Sequence, residues 1–208
     1  MLAALPAYAA NINVANEAQL RSAISNAQNG DTITFTNNIT LTDKLPDVQR
    51  NVTINGGNFT LSGNNKHRGL YVASGTVAIN DLKIVNATAQ GGNGGDGRTE
   101  SVLGGSGGGG GAGLGGALFV ASGANVTVSN VNLQANQARG GNGGKVVWSP
   151  PTYNTSGGGG GMFGNGGTAT YFNNGGGGAG NGGSGDFSKG DAGGFGGGGG
   201  GSRDNGGA

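Results

Sequence analysis

Sugar-cleaving and proton-transferring chemistry depends first on acidic side chains. Such chemistry uses paired or clustered acids, placed so that one can act as acid, base or nucleophile beside the other. The strand-rich half of this chain offers Asp31, Asp43, Asp47 and Asp81, with no D-D or D-x-D pair among them. Asp31 follows Gly30, and Asp81 stands at the corner between two strand-like runs, so turn-forming roles account for both. The spacing therefore predicts no catalytic residues. The one histidine, His67, lies in "NNKHRGLYV" between Lys66 and Arg68. The three read as a small basic turn that contacts an acidic sugar or a phosphate, or more plainly as a solvated loop before a strand. Trp148 and Tyr153, in "VVWSPPTY", offer flat surfaces on which a sugar ring could stack; a loop anchored by its own aromatics accounts for them equally well.

The glycine-rich motifs point to no cofactor or metal. "GGNGGDGR" places Gly92, Gly94 and Gly97 in a G-x-G-x-x-G pattern, but it opens no helix and so lacks the N-terminus on which a dinucleotide phosphate would rest. "RGGNGGKV" fails the phosphate-loop pattern at Arg139 and Val146. "GGNGGDGRT" begins like a calcium-binding nonapeptide repeat, yet has Arg98 where a large apolar residue is needed and no tandem copy. With no cysteine in the chain, disulfides and thiolate metal sites are excluded.

These residues sit in a chain of two textures. Of 208 residues 53 are glycine, yet only six of those precede residue 91. Eleven basic residues balance ten acidic ones, which leaves no positive stripe for a nucleic-acid backbone. "MLAALPAYAA" ends in the small-x-small pattern Ala7-Tyr8-Ala9 of a signal peptidase site, so residues 1–10 read as the remnant of a secretory signal. That remnant implies export to the cell surface or beyond.

Residues 16–30 predict an N-terminal capping helix, with Asn16 as its cap, Gln19 at the capping-box position and Gly30 as a left-handed stop. Leu20, Ala23, Ile24 and Ala27 share one face. After it come only short alternating runs, and they repeat. "VTI" at 52–54, "VAI" at 77–79 and "VTV" at 126–128 each open a strand pair, closed by "FTL", "LKI" and "VNL". The steps are 25 and 49 residues, and "YVASG" at 71–75 is matched by "FVASG" at 119–123. A coil of about 25 residues carrying a glycine-rich insertion at one corner explains both steps. The pattern predicts an all-β parallel solenoid in which Val52, Val77 and Val126 share one interior column. Asn55, Asn80 and Asn130 are expected to turn and ladder at its corners. The expected organisation is a cap over 11–30, coils over 31–145 with an insertion at 91–116, and a glycine-rich insertion or tail over 146–208. Glycine's large ordering entropy makes disorder the default for the tail from Ser156 on. The alternative is extended polyglycine helices bonded side by side against the β-helix.

The run "AQLRSAISNAQNGDTITFTNN…NVTINGGNFTLS…RGLYVASGTVAINDLKIVNATAQGG" and the re-entry "GGGGAGLGGALFVASGANVTV" resemble the N-terminal part of Gram-negative autotransporter passenger domains. That resemblance implies a right-handed parallel β-helix of the pectate-lyase-like superfamily. It also implies a non-enzymatic surface adhesin or stalk, with a glycan or protein surface as partner and no nucleic acid. Membrane attachment would come only through a C-terminal β-barrel outside this sequence. Two other readings stay open: a polysaccharide lyase or hydrolase with its active site beyond residue 208, and a glycine-rich extracellular matrix protein.

Overall fold

The computed structural model describes residues 9–99, 105–148, 155–169, 175, 177–186 and 190–202. They form two compact units, one joining Met1–Ala89 to Gly115–Gln137, the other Gln90–Leu114 to Ala138–Ala208.

The first unit begins with β1 (Asn11–Val14) and α1 (Glu17–Asn26). It continues through β2 (Thr32–Phe35), β3 (Ile39–Thr40), β4 (Val52–Asn55), β5 (Thr60–Ser62), β6 (Leu70–Val72), β7 (Thr76–Asn80) and β8 (Lys83–Val85). Through β9 (Thr88–Gln90) the chain leaves for the second unit, where it forms β10 (Gly97–Thr99). It returns as β11 (Leu118–Val120), β12 (Asn125–Ser129) and β13 (Asn132–Gln134), leaves again through β14 (Gln137–Arg139), and forms β15 (Val146–Trp148) in the second unit.

Every ladder of the first unit is parallel. One sheet runs β1-β2-β4-β7-β12, a second runs β3-β5-β8-β13, and β6 pairs with β11. This is a parallel β-helix, its successive coils adding rungs to sheets of five, four and two strands. Val52 faces Val77, which faces Val126, as the repeats predict. Beside them Ile33, Ile54, Ile79 and Val128 form a second column, and Ile39, Leu61, Ile84 and Leu133 a third. Alternation sends these side chains inward: Ile54, Leu61, Val77, Ile79 and Ile84 are all 0 % exposed. Rungs of two to five residues bury too little to stand alone, so each coil draws its stability from the coils above and below.

The core is closed at its first end and open at its last. Leu20, Ala23, Ile24 and Ala27 of the helical segment join Val14 in the buried cluster, whereas Val128 and Leu133 on the last coil are each 54 % exposed. Asn16 caps α1 by accepting the Gln19 N–H at 3.0 Å, and the Gln19 side chain accepts from the Ala15 N–H at 2.7 Å. The helix stops at Asn26, short of the expected glycine; Ala27 turns extended, and Gly30 makes its left-handed turn (φ +97°) only on the approach to β2. Of the expected corner residues Asn130 is left-handed, and the other two differ. Asn55 and Asn80 stay extended at the ends of β4 and β7, and the left-handed positions fall at Gly57, Asn58, Asp81 and Asn130. Asn130 Nδ2 donates to Asp81 Oδ1 at 2.7 Å, so an asparagine stacks on an aspartate across the coils.

The described glycine segments of the second unit are bonded to one another, and for those from Ser156 on this overturns disorder as the default. The N–H groups of Gly91, Gly94 and Gly97 donate to the carbonyls of Arg139, Asn142 and Lys145. Those of Gly92, Gly95 and Arg98 donate to Gly161, Gly158 and Thr155 in the opposite direction. A step of three residues between equivalent bonds is the signature of the threefold polyproline II helix. Neighbours can run either way, because the bonds come from the main chain and do not depend on side-chain direction.

The stretch Thr155–Met162 lies at the centre of this bundle, and all of it is buried. The N–H groups of Gly157, Gly158, Gly159, Gly160 and Gly161 donate in turn to the carbonyls of Ser106, Gly167, Gly183, Gly109 and Gly164. Carbonyls of the same stretch accept from Gly92, Gly95, Gly175, Gly178, Gly198 and Gly201. A Cβ on Gly159 would stand 1.8 Å from the Gly198 carbonyl oxygen, and one on Gly160 2.0 Å from that of Gly92. Towards the rim one position in three is free to carry a side chain, which gives "GGNGGD" at 91–96 with Asn93 exposed.

Candidate functional site

The basic turn predicted from "NNKHRGLYV" is built on two consecutive left-handed asparagines, Asn64 (φ 55°) and Asn65 (φ 58°). The N–H groups of Lys66 and His67 both donate to the Gly63 carbonyl, and the His67 carbonyl accepts from Thr88 at 2.9 Å. Glycine is needed at position 63, because a Cβ there would meet the His67 oxygen at 2.3 Å. Lys66 is exposed, and His67 and Arg68 are half-buried.

Arg68 turns back over the sheet. Its guanidinium lies 5.8 Å from the ring centre of Tyr71 and 5.7 Å from that of Phe119. The two rings are themselves 5.4 Å apart, because β6 and β11 pair Tyr71 with Phe119. Burial pulls the Arg68 pKa below its ordinary value, partly offset by Tyr71 and Asp47. Stacking on two rings holds a planar cation at the surface at little further entropic cost. The result is a half-buried guanidinium packed against two aromatic rings. Tyr71 and Phe119 were not among the residues singled out from sequence, although their signal was there: "YVASG" and "FVASG" place an aromatic on an aromatic when the repeats are stacked.

The remaining candidates fall elsewhere. Trp148 ends β15 in the second unit, pairs with Thr99 and is 63 % exposed beside Val146 and Val147. Tyr153 lies outside the described residues, as do residues 1–8 of the expected signal remnant.

The structure holds the carboxylates in separate tasks. Asp43 pairs with Arg21 at 3.0 Å, and the Lys44 N–H donating to it holds its pKa below the usual range. Asp81 takes the Asn130 amide, and Asp47 is exposed. Asp31 accepts two main-chain N–H groups, from Ala10 and Gln28, each at 2.8 Å, and those bonds hold its carboxyl below the usual range. A group with a depressed folded pKa stabilises the protein above its unfolded pKa of about 4, and that contribution is lost as pH falls through the folded value. Asp31→Asn is therefore expected to lower the melting temperature by several degrees at pH 7, with the gap closing below about pH 4. Thermal melts of both proteins across pH 2.5–7 check this, and a gap that persists unchanged at the acid end contradicts it.

Asp96, in the nonapeptide-like stretch, accepts the Lys145 N–H, and Asn93 accepts the Asn142 N–H, each at 2.8 Å. Both side chains tie neighbouring glycine helices together. Among the described residues no group of three or more His, Cys, Asp or Glu is placed to hold a metal ion. No helix of the described residues is long and apolar enough to cross a membrane.

The first unit thus has the architecture of pectate-lyase-like proteins, a parallel β-helix with an N-terminal helix over its first coil. The family described as "Putative pectate lyase-like adhesive domain" matches residues 11–104, somewhat under half of the chain, and supports that fold. No curated protein and no solved structure matches the chain.

Proposed function

We propose that this chain is a non-enzymatic, exported surface β-helix, part of an autotransporter passenger, that acts in adhesion. The observation that carries the reading is the match of residues 11–104 to an adhesive β-helix family. The engagement of Asp31, Asp43 and Asp81 in separate structural bonds supports it against a glycoside hydrolase, which needs paired acids. The partner is an acidic glycan or protein surface, met in the first unit by Lys66 and the Arg68–Tyr71–Phe119 stack.

Binding of the purified chain to immobilised acidic polysaccharides, alongside an assay for unsaturated or reducing sugar ends, tests this. Binding without turnover is expected. Arg68→Ala, with an unchanged circular dichroism spectrum, is expected to weaken binding about tenfold, the order of one charge-assisted contact. Release of sugar ends by the wild-type chain would instead make it an enzyme.

A further inference from the structure

Asp31, 4 % exposed, is the only charged side chain among the buried described residues. A carboxylate taken out of water is normally matched by a cation. The Arg21–Asp43 ion pair lies elsewhere, and both Asp31 oxygens are met by main-chain amides. One of those amides belongs to Ala10, which donates to Oδ1 at 2.8 Å. Ala10 is also the residue that follows Ala7-Tyr8-Ala9, the small-x-small pattern at which signal peptidases cut.

We propose that hydrolysis of the Ala9–Ala10 bond makes Ala10 the mature N-terminus, and that its new ammonium is the cation the buried Asp31 carboxylate receives. This rests on the export reading above. In the reaction the Ala9 carbon–Ala10 nitrogen bond breaks and a water is consumed. The water oxygen joins the Ala9 carbonyl carbon, which departs as a carboxylate, and both water hydrogens end on the Ala10 nitrogen, giving an ammonium at neutral pH. A signal peptidase of the exporting cell supplies the catalysis.

The position is held by bonds to residues that remain after cleavage. The Ala10 carbonyl accepts the Thr32 N–H at 2.8 Å, and β1 starts its register with β2 at the next residue, Asn11 against Thr32. Cleavage therefore leaves the first rung in place and changes the charge of one donor. Ala9 and Ala10 are both exposed, so the bond is open to a protease.

Two measurements test the proposal. Chains beginning at Ala10 are prepared with a free amine and with an acetylated one, each with Asp31 and with Asp31→Asn, and their unfolding constants are compared at low salt. The free amine is expected to lower the unfolding constant about fivefold relative to the acetylated chain, the difference between a charged and a neutral hydrogen bond, and only when Asp31 is present. An equal constant for both termini, or a gap that survives Asp31→Asn, overturns it. Because the acetylated chain serves as its own folding control, poor folding of the Asp31→Asn chains leaves the first comparison decisive. The second measurement is the intact mass of the chain exported behind an added secretory n-region and h-region. A mass beginning at Ala10 supports the proposal, and an exported chain cut at another bond overturns it. Retention of uncut protein in the cytoplasm counts against the export reading, while the unfolding comparison still decides whether Asp31 holds an ammonium.

Discussion

Gly160→Ala is expected to destabilise the second unit by about 3 kcal/mol or more, at or beyond the upper end of what overpacking usually costs. The added carbon would sit 2.0 Å from the Gly92 carbonyl oxygen and 2.6 Å from its carbon. Both atoms are main chain, so no rotamer change relieves the clash. Gly92 cannot retreat freely either, because its N–H is bonded to Gly161 and its carbonyl to Gly111. Gly143→Ala supplies the contrast: its nearest contact would be the Gly108 oxygen at 3.7 Å, an ordinary distance. There the restriction of the unfolded chain should dominate, leaving stability unchanged or raised by about 0.4–1 kcal/mol. Thermal or urea unfolding of the two variants, with amide exchange read at Gly92 and Gly95, measures both. Equal losses at the two positions would show that the bundle tolerates a side chain at its centre.

Ile79→Ala is expected to remove about 3–4 kcal/mol from the first unit. Ile79 is 0 % exposed and has Ile54 on the rung before and Val128 on the rung after, so truncation opens a void that the stacked rungs cannot collapse into. Val128→Ala, one rung along the same column, should change stability by only about 0.5 kcal/mol, because that side chain is 54 % exposed and no further rung stacks on it among the described residues. Urea titrations of the pair test whether burial in this unit grows from the open end inwards. Similar midpoints for the two variants would mean that the column is not the source of its stability.

Both predictions depend on register, and register in the β-helix was legible beforehand. The 25- and 49-residue steps place Val52, Val77 and Val126 together because parallel coils align like with like, and the ladders agree pair by pair. The helix face was equally plain, since Leu20, Ala23, Ile24 and Ala27 follow a 3.6-residue period and all are buried. Its end was misplaced. Ala27 left the helix early because Asp31 reaches back to the Gln28 N–H, and nothing in the local spacing announces that bond.

The candidate site was half visible. Lys66, His67 and Arg68 were picked out by charge, but their orientation depends on the stack of Tyr71 and Phe119, which come from coils 48 positions apart in the chain. The charge-poor glycine segments hid the most. Their bonds join Gly92 to Gly161 and Gly109 to Gly199, and no side-chain pattern distinguishes those partners from any other glycine.

By itself the sequence determined where apolar residues alternate, how long one coil is and which helix face is buried. The tertiary structure alone decided that the glycine segments pack as threefold helices, which of them is enclosed, and which main-chain amides face the buried Asp31. The physical reason is that side chains carry a periodic local signal of where they will be buried. A glycine offers only an N–H and a carbonyl, and their partners are chosen by three-dimensional proximity.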